Sequence, residues 1–103
     1  MNKKYSIIYL PLFYKDMTKI TKYISKNLKN KIAADKLLDE VEQSIQKRAF
    51  NPGIYEKHYS SKERKNTYFK LYVKNYIVFY IIKNNTMEVR RILYNKQNFN
   101  NLF

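Results

Sequence analysis

The stretch TYFKLYVKNYIVFYIIKNNTMEVRRILY, residues 67–94, decides the fold. β-Branched and aromatic residues crowd three runs, 67–73, 76–83 and 86–94, and two-residue links, Lys74-Asn75 and Asn84-Asn85, separate them. Links of that length turn adjacent strands back on each other, so the segment predicts a three-stranded antiparallel meander. The middle run, YIVFYII, is apolar at successive positions and reads as a central strand covered on both faces. Helices are expected on one face; the other is a candidate partner surface.

The helices lie upstream. Phe13, Met17, Ile20, Ile24 and Leu28 recur at helical spacing on one stripe, with Lys15, Lys19, Lys22, Lys26 and Lys29 toward solvent. Pro11 suits the first turn. Asn30 can cap a second helix, in which Ala34, Leu38, Val41, Ile45 and Ala49 repeat the spacing until Asn51-Pro52-Gly53 stops it. Two helices with one-sided apolar stripes must pack on something else, and the sheet is available. Before them, Tyr5, Ile7 and Tyr9 alternate with Ser6 and Ile8 as a short strand ended by Pro11. The expectation is an α+β fold, β-α-α-β-β-β, with an antiparallel sheet packed against a helical hairpin, as a single domain over residues 1–103.

Composition narrows the function classes. With no cysteine, a disulfide framework and a thiolate metal site are both excluded, and a reducing cytoplasm fits best. The longest apolar run, 76–82, is far shorter than the roughly 20 residues a membrane helix needs. The N-terminal MNKKYSIIYLPLFYKD lacks a small-residue cleavage site, so neither a membrane nor an exported chain is expected. The net charge of +13 calls for a polyanionic partner: nucleic acid, ribosome or an acidic protein. Part of it is coding bias, because 17 lysines stand against 4 arginines in a chain rich in Asn, Ile and Tyr. Residues 1–34 carry +7, residues 35–56 carry −2 and residues 57–103 carry +8, so an acidic stretch separates two basic ones.

The usual enzyme constellations are missing. One histidine, no cysteine, no glycine-rich loop and no paired strand carboxylates argue against metal hydrolysis, serine-type catalysis and P-loop nucleotide binding. No metal or other cofactor is expected. What remains is basic and aromatic: Lys57, His58, Lys62, Arg64 and Lys65 in the long polar loop 54–66, Lys70 and Tyr72 on the next strand, Arg90, Arg91 and Tyr94 on the last, and Lys96 after it. Such a set can hold a phosphate backbone and stack bases. Metal-free RNA cleavage needs little more, since the 2′-OH is an internal nucleophile. Ordinary roles compete: His58 as a solvated loop residue, Tyr76 and Tyr80 as packing, the lysines of helix one as a solvated face. Arg90 and Arg91 are expected on opposite faces of their strand, so one joins a site while the other pairs with an acid such as Glu88 or one from helix two.

The order of elements, with the segments YISKNLKNKIAADKLLDEVEQSI, YFKLYVKNYIVFYII and VRRILYNKQNF, resembles the RelE/ParE toxin superfamily along the whole chain. The Ala-Ala-Asp-Lys-Leu-Leu of helix two, Asn51-Pro52, Lys70-Leu71 before Asn75-Tyr76, Val78-Phe79-Tyr80 and Arg91-Ile92-Leu93-Tyr94 carry the likeness. The resemblance implies a cytoplasmic toxin encoded beside an antitoxin whose helical segment wraps it. In the RelE-like branch the domain enters the ribosomal A site and cuts mRNA without metal; in the ParE-like branch it inhibits DNA gyrase and cuts nothing. Where the ribonuclease branch often has an arginine after the loop, a basic residue beyond the last strand and a tyrosine near the C-terminus, this chain has Tyr72, Gln97 and Phe103. The expectation is a ribosome-dependent, metal-independent mRNA endoribonuclease, with gyrase inhibition as the alternative. In it Lys62, Arg64 and Arg91 hold the scissile phosphate, and Tyr94 or Lys57 moves the 2′-OH proton. Tyr72 stacks a base, and Lys65, Lys70 and Lys96 bind the RNA.

Overall fold

The structure is a computed structural model that describes residues 3–55, 57–58 and 67–96. β1 (Ser6–Tyr9) leads at once into α1 (Pro11–Lys22), which passes into a π-helical turn over Tyr23–Asn27 before α2 (Lys31–Arg48) returns. Pro11 takes the first helical position, where its missing N–H would have no partner in any case. Asn30 caps α2 as its side chain predicts, its Oδ1 accepting the Ala33 N–H at 3.0 Å. A 3-10 turn over Pro52–Ile54 follows, then β2 (Lys57–His58), β3 (Tyr68–Val73), β4 (Tyr76–Lys83) and β5 (Thr86–Tyr94).

The expected fold class holds: α+β, with a helical hairpin on a sheet whose strand order is β1-β5-β4-β3-β2. The meander is antiparallel. The sheet as a whole is mixed, because β1 pairs with β5 in parallel, Ser6 opposite Thr86 through Tyr9 opposite Val89. Parallel neighbours need a long crossover, and the intervening helices supply it. β2, only two residues long, adds a strand beyond the expected four.

The main core lies between hairpin and sheet. Phe13 and Met17 of α1 and Leu37, Val41 and Ile45 of α2 meet Phe69, Leu71, Val73, Val78, Tyr80, Met87, Val89 and Ile92. On α2 the buried residue is Leu37, while Leu38, expected in the stripe, is exposed. Both positions fall within helical spacing of Ala34 and Val41, and the tilt of the helix on the sheet selects between them. Leu28, at the end of the α1 stripe, is also exposed, since the π-turn rotates it off the seam.

Two expectations about the second sheet face are corrected. Ile77 and Phe79 are 1% and 0% exposed and pack with Leu93 and Tyr68, so the apolar middle of that face is closed rather than open to a partner. In addition, the β4–β5 register slips: Phe79 lies opposite Arg91 while Tyr80 lies opposite Val89, leaving Arg90 as an extra, bulged residue. A bulge breaks strict alternation. Arg91 therefore sits on the face of Phe79, and Arg90 reaches Glu88 and Tyr68 on the same side. The two arginines share a face.

Candidate functional site

The second face gathers Tyr68, Lys70 and Tyr72 of β3 with Arg90 and Arg91 of β5, flanking the Ile77–Phe79–Leu93 cluster. Alternation along β3 puts its three residues on this side, Lys70 opposite Phe79 and Tyr72 opposite Ile77. The Arg90 guanidinium stands 5.9 Å from the Tyr68 ring centroid. Three of the nine residues named for nucleic-acid chemistry, Lys70, Tyr72 and Arg91, thus come together. Tyr68 joins them without having been singled out, and so does Arg90, which was named in the wider basic set but expected on the face opposite Arg91, because the bulge that brings it in leaves no mark in the strand pattern.

Both arginines are matched by carboxylates. Arg90 Nη1 lies 3.5 Å from Glu88 Oε1, the acid named for such a pair, although that nitrogen is buried without a hydrogen bond. Arg91 is held more firmly. Its Nε and Nη2 donate to Asp16 Oδ2 and Oδ1 at 2.8 and 2.9 Å, and Asp16 Oδ2 also accepts the Ile92 N–H at 3.1 Å. The geometry follows from β1 being short. Its pairing with β5 ends at Val89, and the Leu10 N–H closes on the Val89 carbonyl. Beyond that point the β5 edge would present a bare backbone N–H, and Asp16, one and a half turns into α1, covers it. The hydrogen bond to Asp16 raises the Arg91 pKa above its already high ordinary value, so the guanidinium stays charged. Asp16 went unnoticed as a site residue, but its signal was present: it is the lone acid among eight bases in residues 1–34.

The other candidates stand elsewhere. Tyr94 is opposite Tyr76, ring centroids 5.9 Å apart, and Tyr76 packs on the hairpin-side core. Tyr94 and Arg91 are therefore on opposite faces of β5. Lys57 lies opposite Phe69, its Nζ 6.0 Å from that ring, on the fourth strand counted from β5, which at about 4.8 Å per strand places it about 14 Å away. Lys96 is exposed in the turn after β5, which the Asn95 N–H ties to the Asn75 carbonyl at 2.8 Å. Lys62, Arg64 and Lys65 lie outside the described residues, as do Gln97 and Phe103.

A buried polar cluster anchors the approach to the long loop. The Tyr80 hydroxyl, fully buried as its packing role predicts, donates to the Pro52 carbonyl at 2.7 Å. Arg48 Nη1 donates to that hydroxyl and to the Lys70 carbonyl, both at 2.9 Å, and its guanidinium stacks 3.5 Å above the Tyr55 ring. One side chain at the end of α2 thereby fixes the 52–55 turn and β3 together.

Chemically, the second face is a polar and aromatic rim around a closed apolar centre, with its arginine charge compensated. The phenols whose acidity shifts, Tyr9, Tyr76 and Tyr80, are all pushed up, chiefly by burial, and lie on the hairpin side. They stay protonated near neutral pH and do not serve as bases there. Among the described residues, no three His, Asp or Glu side chains cluster as metal ligands, and no helix is long and apolar enough to cross a membrane.

The sequence model of one family, described as ParE toxin of type II toxin-antitoxin system, parDE, matches residues 7–99. No curated protein matches the chain.

Proposed function

Because this chain belongs to the ParE toxin family of type II toxin–antitoxin systems, we propose that it arrests growth by binding DNA gyrase, without cutting a nucleic acid. The observation that carries this reading is the Asp16–Arg91 pair. The cation nominated to hold a scissile phosphate is already engaged by a bidentate carboxylate, and Tyr94, nominated to move the proton, is on the other side of the sheet. Phosphoryl chemistry needs both groups on one substrate atom cluster, within hydrogen-bond reach. A protein inhibitor needs neither. Membership of the family also implies an antitoxin partner. In our reading the antitoxin covers the toxin with a helical segment, and both act in the cytoplasm.

Ribosome-dependent mRNA cleavage is the second reading. Lys70, Tyr72, Tyr68 and the paired arginines on one face favour it, since such a rim can contact RNA backbone and bases. Controlled expression in bacteria separates the two. Gyrase inhibition predicts a DNA-damage response and altered plasmid supercoiling with intact mRNA 5′ ends. Codon-spaced mRNA cuts without DNA damage would overturn the proposal.

A further inference from the structure

The outer face of α1 lies across the sheet from the candidate site. Lys15, Lys19 and Lys22 project there within a narrow stripe, about one charge per 5 Å of helix, and Lys26 continues it into the π-turn. With Tyr14 and Thr18, the three lysines of α1 line a shallow depression. All three are exposed, and among the described residues none pairs with a carboxylate.

The lack of opposing charge is a product of the fold. Asp16, the one acid of α1, is turned inward to Arg91 with 12% of its side chain exposed. Of the four acids of α2, two are spent elsewhere, Asp35 on Lys31 at 2.9 Å and Glu40 on Lys74 at 3.5 Å, while Asp39 and Glu42 are exposed. Among the described residues Lys15, Lys19 and Lys22 thus keep their charge without a paired carboxylate, unlike the second face, where each arginine meets one. Coding bias explains why the cations are lysines. It does not explain why the neutralising carboxylate faces the core.

We infer that the Lys15–Lys19–Lys22 face binds the phosphate backbone of duplex nucleic acid, independent of sequence, with Tyr14 bordering the contact. A duplex carries one phosphate per about 1.7 Å of its axis, so a row of three or four lysines at this spacing finds a phosphate for each. The inference goes beyond the gyrase reading and stands without it, because the face is complete in this chain alone. If both hold, the toxin grips the DNA that gyrase is passing.

Fluorescence anisotropy of the purified full chain with random-sequence 20-base-pair DNA and RNA duplexes, from 50 to 300 mM salt, tests it without gyrase present. Neutralising three phosphates predicts a slope of log K against log salt that is steeper by about 3 than the slope without them. The triple variant Lys15→Gln/Lys19→Gln/Lys22→Gln should lose at least about tenfold in affinity at 50 mM salt and about 3 from the slope. Glutamine keeps helix propensity, and far-UV circular dichroism checks the fold. The equal-charge control Lys36→Gln/Lys47→Gln/Lys83→Gln should change affinity by less than about threefold, since long-range field alone is screened beyond about 10 Å. Loss confined to the α1 variant, on either duplex, supports the inference. No binding to either duplex, retention by the α1 variant, or equal loss in the control overturns it.

Discussion

Asp16 satisfies three donors at once, two on Arg91 and the Ile92 N–H, and does so 75 residues away along the chain. Removing it strands a mostly buried guanidinium and opens the edge of β5. Asp16→Ala should therefore lower the unfolding free energy by about 2–4 kcal/mol in urea titration. Arg91→Met in the Asp16→Ala background should cost less than it does alone, by more than about 0.5 kcal/mol; simple additivity would show that the two side chains are uncoupled. Tyr80→Phe deletes the hydroxyl shared by Arg48 and Pro52 and should cost about 1–3 kcal/mol. Burial raises the Tyr80 phenol above its ordinary value of 10.0, and Tyr9 and Tyr76 move the same way. The native state thus keeps protons that the unfolded chain gives up above pH about 10. This stabilisation is whole below that pH and fades as the pH climbs through the folded-state values. Stability should fall on the alkaline side, and Tyr80→Phe should flatten the fall. These partners were illegible in the sequence because ion pairs across the fold follow no spacing rule; only the isolation of Asp16 among lysines hinted at one.

Between α1 and α2 the chain turns through Lys29 at φ 52°, the left-handed region where a side chain costs energy and glycine does not. Lys29→Gly should raise the thermal midpoint, corresponding to about 0.5–1 kcal/mol, as its side chain is exposed and makes no ion pair among the described residues. An unchanged or lower midpoint would mean that unfolded-state entropy outweighs the relief of strain. At this scale the sequence was most readable. The α1 stripe as far as Ile24, the Asn30 cap, the stop at Asn51-Pro52-Gly53 and the two strand links all rest on local periodicity and turn chemistry, and all are found. What local pattern does not encode was missed: the parallel docking of β1 on β5, the two-residue β2, the choice of Leu37 over Leu38, and the bulge at Arg90. Each depends on which element lies alongside. The bulge mattered most, since it moved one arginine across the sheet and joined two cations expected apart.

Over the whole molecule, charge is sorted rather than spread. Among the described residues, the two arginines of the second sheet face each meet a carboxylate, whereas Lys15, Lys19 and Lys22 of α1 meet none. Among the described residues the α1 lysines lie across the sheet from Lys70, Tyr72 and Arg91, so net charge alone does not distinguish RNA cleavage from gyrase binding. The fold class and the family were legible from element order and the meander, whereas the site depended on the side-chain pairing just described. The central claim is that the chain acts on gyrase without catalysing a cleavage of its own. The direct measurement is ATP-driven supercoiling of relaxed plasmid by purified gyrase as the purified chain is added, beside mRNA integrity on translating ribosomes. We predict dose-dependent loss of supercoiling with the mRNA intact. Full supercoiling at every dose, with mRNA cut on the ribosome, would contradict the account.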